Sequence, residues 1–114
     1  MLPRPRTLAL IAAAAIAVGA PCLSLAQTDA VSKGRLLLEA NCARCHAIGM
    51  DDESKHKEAP AFRVVVTRYP PDNLAEALAE GIMSGHPDMP EFVFEPAEIE
   101  AITAYLGSLN SPGK

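Results

Sequence analysis

Cys42-Ala43-Arg44-Cys45-His46 constrains this chain more than any other feature, because few chemistries use two thiols at this spacing with an imidazole directly behind them. The pattern is the attachment signature of covalently bound c-type haem. In a short helical segment, thiols so spaced can add to vinyl groups on neighbouring pyrrole edges, while the next side chain turns its imidazole onto the iron. Structural zinc needs four ligands, usually in separated pairs. The other histidines, His56 and His86, supply no second pair. A thioredoxin-like redox dithiol needs a βαβ pattern, and none is legible. The expected cofactor is therefore one covalent haem c, anchored by Cys42 and Cys45, with His46 as proximal iron ligand.

The N-terminus bears on where that haem would be used. Arg4 and Arg6 precede an apolar run from Leu8 to Val18, Gly19 and Pro21 interrupt it, and Ser24-Leu25-Ala26 offers small residues at the positions a signal peptidase reads. Residues 1–26 read as a secretory signal peptide cut between Ala26 and Gln27, leaving 27–114 as a single domain in the periplasm. The interrupted run falls short of the roughly 20 apolar residues that a membrane span needs. Cys22 goes with the leader, so the mature thiols are Cys42 and Cys45, both required by the haem. With Arg4 and Arg6 removed, eight basic residues face 14 acidic ones. That balance argues against nucleic acid and anionic membranes as partners and favours a redox partner with a basic docking patch.

Helical periodicity appears in three stretches, and no strand pattern competes. The first spans about Val31 to Ala40 and leads into the haem motif. The second follows Pro70-Pro71, with Asp72 or Asn73 as N-cap, and runs through Leu74, Ala77, Leu78, Gly81 and Ile82. The third starts after Glu95 with Pro96 in its first turn. Ile99, Ile102, Tyr105, Leu106 and Leu109 form its apolar stripe, which stops near Asn110. The stretches 47–69 and 85–95 are rich in Pro, Asp, Glu and Gly and read as irregular. So small a domain has little apolar core of its own, and a buried macrocycle would supply much of it.

The second irregular stretch holds the candidate for the sixth iron position. Met89 lies in His86-Pro87-Asp88-Met89-Pro90, where prolines on either side stiffen the backbone and can hold a thioether toward the distal haem face. Met83 is the weaker choice, near a helix end, and Met50 is too close in sequence to His46. His86 is the competitor, since imidazole also ligates haem iron. His56 lies in the charged run Asp51 to Glu58, which reads as an exposed loop.

Taken together, a Gly-bearing first helix, Cys-x-x-Cys-His, Ala59-Pro60, Met89-Pro90 and an aromatic-bearing last helix resemble a small bacterial class I cytochrome c over residues 28–110. The resemblance implies an all-α fold of three main helices plus loops wrapped around one covalently attached haem. It makes Cys42 and Cys45 the thioether anchors, and His46 and Met89 the axial ligands. Pro60 becomes the residue whose carbonyl accepts the proximal imidazole N–H. Gly34 and Leu38 of the first helix are expected to meet Ile102 and Tyr105 of the last. The chain has no tryptophan, so Arg63, Arg68 and Tyr69 are the candidate donors to haem propionate.

These residues imply outer-sphere electron transfer, with Phe62, Ile82 and Phe92 as an apolar shell that disfavours the oxidised charge. With both axial positions filled and no nucleophile–base pair elsewhere, no catalytic residue is assigned and the chain reads as a carrier rather than an enzyme. The alternatives are a haem c subunit of a larger periplasmic dehydrogenase or oxidase complex and, further off, a five-coordinate haem peroxidase or gas sensor in which Met89 is core only.

Overall fold

A computed structural model of the chain describes residues 22–81 and 87–110. The four helices among them are α1 (Cys22–Asn41), α2 (Phe62–Arg68), α3 (Pro71–Glu80) and α4 (Pro96–Leu109), and the described residues contain no strand. The all-α expectation holds, and the three main helices are joined by a short fourth, α2. α2 lies inside the stretch expected to be irregular. Its Val64-Val65-Val66 run lowers intrinsic helicity. Tertiary packing overrides that propensity: Val66 is buried, and its carbonyl accepts a hydrogen bond of 3.2 Å from the Asn110 side chain beyond α4.

α4 is the spine of the fold. Pro96 opens it with its φ already helical, and the Glu98 carboxylate reaches back to accept the Glu95 N–H at 2.9 Å. Its buried side chains Ile99, Ala101, Ile102, Tyr105, Leu106 and Leu109 make up most of the core, which Leu38, Ile48 and Val66 complete from the other elements.

Gly34 of α1 is buried where the two long helices cross. A Cβ there would run into the Ala101 carbonyl and lie 3.0 Å from the Tyr105 Cβ. Only hydrogen fits, so the expected Gly34 and Leu38 contacts with α4 are present in the core. α1 also begins earlier than expected and is continuous through Ala26 and Gln27, where its side chains are exposed.

α3 differs at both ends from its sequence reading. Pro70 is the N-cap residue, in place of Asp72 or Asn73, with Pro71 at the first helical position. The helix stops at Glu80, where Gly81 takes φ 84°, a backbone conformation that side chains strain. Ile82 lies outside the described residues. No residue of α3 is buried, although Leu74 and Leu78 pack on the edge of the core.

Candidate functional site

The haem motif is a turn grown from the C-terminus of α1. Cys42 and Ala43 donate their N–H groups to the Leu38 carbonyl at 2.7 and 3.1 Å, and Cys45 and His46 donate theirs to the Cys42 carbonyl at 3.1 and 2.9 Å. These bonds satisfy carbonyls that a helix end otherwise leaves open. They also project two thiols and an imidazole from one short coil. Cys42 and Cys45 are both free thiols and half-buried. Before haem attachment, burial, with a smaller contribution from Cys45, pushes the Cys42 thiol up to about 11.

His46 is fixed on two sides. Its Nδ1 lies 2.7 Å from the Pro60 carbonyl oxygen. A carbonyl only accepts, so Nδ1 carries the proton and Nε2 keeps its lone pair, the tautomer a metal-binding imidazole needs. Its ring stacks on Phe62 at a centroid distance of 4.9 Å and an interplanar angle of 19°. Phe62 and Pro60 sit there because the chain doubles back, with the Phe62 N–H on the Ala47 carbonyl at 3.0 Å.

The segment after the motif is held by its own side chains. Ser54 Oγ accepts the Ala47 N–H at 3.0 Å, and Asp52 accepts the N–H groups of Ile48 and Gly49 at 2.9 and 2.8 Å. Arg63 donates to the carbonyls of Gly49 and Asp52 at 3.2 and 2.7 Å. Through Nη1 that guanidinium braces the 49–52 loop. Tyr69, at 57 % exposed, and Arg68 lie on the surface.

Cys42 and Met89 line one cavity, together with Leu38, Phe62, Val65, Leu74, Leu78, Phe92, Phe94, Ile102 and Leu106. Apart from the two sulfur side chains the lining is hydrocarbon. Phe92 and Phe94 stack at 5.8 Å. The apolar side of α3, only partly covered by the core it packs against, faces this space through Leu74 and Leu78. The donor set and the walls have the chemistry that a flat apolar group tethered at one edge requires: thiols for attachment and an imidazole in the metal-binding tautomer in the adjoining turn, and in the cavity a thioether among walls that need no polar partner. Phe62 and Phe92 of the expected apolar shell are on the wall. Ile82, Met83 and His86 lie outside the described residues.

His56, read as part of an exposed loop, is half-buried and engaged. Its N–H donates to the Cys45 carbonyl at 3.1 Å, its Nδ1 accepts the Glu58 N–H at 3.2 Å, and its Nε2 lies 3.3 Å from Asp88 Oδ2. The charged run around it masked this role, and only its position ten residues after the haem motif hinted at it.

The family described as cytochrome c oxidase, cbb3-type, subunit III matches residues 29–106. The chain belongs to that family. It is a small cytochrome c, its haem c is covalent, and Cys42 and Cys45 stand in the corresponding Cys-x-x-Cys-His motif. Comparisons with curated proteins and with solved structures return no match. The cytochrome c domain makes haem-based electron transfer the function of this chain. No helix among the described residues is long and apolar enough to cross a membrane.

Proposed function

We propose that this cytochrome is a free, exported one-electron carrier, with His46 and Met89 as the axial ligands of its haem and Pro60 as the acceptor that orients the proximal ring. The observation that carries the reading is the shared apolar cavity of Cys42 and Met89, next to an imidazole whose Nδ1 is already taken by Pro60. Bound there, the haem supplies an Fe(III)/Fe(II) couple. The chain's own residues set its terms. The thioether is a soft donor that favours Fe(II), and Phe62, Phe92 and Leu78 exclude water and raise the potential. With two protein ligands at the iron, electrons pass through the haem edge without a bound substrate. A visible spectrum of the purified holoprotein in both redox states tests this. The reading requires low-spin six-coordinate haem in each, and a high-spin five-coordinate spectrum would favour a peroxidase or gas sensor.

Export and processing between Ala26 and Gln27 form part of the proposal. Support comes from the exposure of α1 around that bond, where Leu25 is 74 % exposed. The residues with described side chains on the leader side of that bond, Leu25 and Ala26, are both exposed. N-terminal sequencing of periplasmic protein should begin at Gln27.

The family description favours one second reading, a haem subunit held within an oxidase or similar complex. Native purification separates the two. A carrier elutes alone at the size of one domain, whereas a subunit copurifies with partner chains.

A further inference from the structure

The His56 side chain joins the Met89 loop to the haem-attachment segment across a sequence separation of 32 residues. His56 stands at the junction. Its backbone N–H is bound to the Cys45 carbonyl, which places it beside the covalent anchor. The Glu58 N–H donates to Nδ1, so that nitrogen is the acceptor of the ring and Nε2 carries the proton. The proton on Nε2 is then directed at the Asp88 carboxylate, 3.3 Å away, immediately before Met89 in the chain. Both ring nitrogens are therefore used, and each interaction selects the same tautomer. The side chains are 32 % and 67 % exposed, so the contact contributes little to the core. Its value lies in where it ties the chain.

The geometry points to His56 as a positioning residue that holds the Met89 loop over the haem by bridging it, through Asp88, to the segment bearing Cys45. The inference rests on Met89 being the distal ligand. A thioether on a loop must be held in place to compete with water and external ligands. A hydrogen bond that restricts the loop lowers the entropic cost of keeping it there. Partners one step behind a metal ligand act on affinity in this way. Met89 itself shares an apolar wall with Phe92 and Phe94. A polar tie at the adjacent residue supplies direction that apolar packing lacks.

The experiment uses ferric holoprotein at constant neutral pH with free imidazole as the probe. Imidazole displaces the thioether, so its apparent affinity reports how often the Met89 loop is open. In His56→Ala the apparent imidazole affinity is expected to rise about five- to tenfold, the factor a partly exposed hydrogen bond to a carboxylate is worth. Haem content and helical circular dichroism should stay as in the wild type. His56→Gln, which restores an N–H donor at similar reach, should return the affinity to within about twofold of wild type, as expected if the lost bond is the cause. Adding His56→Ala to Asp88→Ala should produce no further change, since the two residues act as one tie. Met89→Ala is the reference for a fully open site. If Met89→Ala is open and His56→Ala binds imidazole like the wild type, the tie is overturned and the ligand assignment stands. If Met89→Ala itself matches the wild type, both fall. Equal effects of His56→Ala and His56→Gln accompanied by lost helicity would also overturn the positioning role, because they would mean general unfolding.

Discussion

Tyr105 links the helical core to the segment that follows the haem motif. Its ring is buried against Leu38 and Ile102, and its O–H donates to the Ile48 carbonyl at 2.8 Å. Burial raises the phenol above its ordinary value, with Arg35 opposing and the carboxylates of Asp52 and Glu39 adding to the rise. It therefore remains a protonated donor through neutral and mildly alkaline pH. Tyr105→Phe keeps the packing but leaves the Ile48 carbonyl without its partner, and should cost about 1–2 kcal/mol in denaturant unfolding of the holoprotein. The same scale shows what a sequence can hide. Cys42, Cys45 and His46 were legible because attachment chemistry fixes their spacing. His56 was not, because its contacts with Cys45 and Asp88 are set by how two loops meet. The brace made by Arg63 is hidden for a related reason: a lone cation in sequence does not disclose which carbonyls fold toward it.

Elements were legible where pattern and packing agree. α4 carries its start in Glu95-Pro96 and Glu98 and its stripe in Ile99 to Leu109, and the structure follows both. α2 defied reading because its Val-rich sequence favours extended backbone, and only its contacts with α4 and Asn110 make it helical. The crossing of α1 and α4 depends on one missing side chain. Gly34→Ala gains about 1 kcal/mol of helix propensity. It also drives a methyl into the Ala101 carbonyl, which cannot rotate away as a side chain would. The net loss should be about 2 kcal/mol, seen as a lower unfolding midpoint.

The loop from Ala47 to Ser54 has a pH dependence of its own. Partial burial pushes the Asp52 carboxyl up, but the N–H groups of Ile48, Asp52 and Gly49, together with Arg63, outweigh it and hold the carboxyl below the ordinary value. A depressed carboxyl stabilises the fold above its unfolded value and loses that contribution as pH falls through its folded one. Amide exchange at Ile48 and Gly49 should therefore accelerate, relative to α4, as pH drops below about 4. Asp52→Asn should show the faster exchange already at neutral pH.

At the scale of the whole molecule, the protein core is small and largely the work of one helix, and the apolar face of α3 borders the cavity that Cys42 and Met89 line. Replacing Cys42 and Cys45 together with Ala should leave no haem after acid-acetone extraction and a chain largely unfolded by circular dichroism, since the core left is too small to hold alone. All-α architecture, covalent haem and electron transfer could all be read from the sequence. The short helix α2, the capping of α3 and the ties around the Met89 loop could not, because these depend on long-range contacts.

The central claim, a carrier whose iron is closed by His46 and Met89, is tested most directly by carbon monoxide binding to reduced wild type and Met89→Ala. The wild type should bind slowly or not at all. Met89→Ala should bind rapidly, lose the weak sulfur-to-iron absorption at the red end of the ferric spectrum, and show a lower potential. Rapid binding by the wild type, with spectrum and potential unchanged in Met89→Ala, would contradict the account. Loss of six-coordination in His86→Ala instead would transfer the distal role to that histidine.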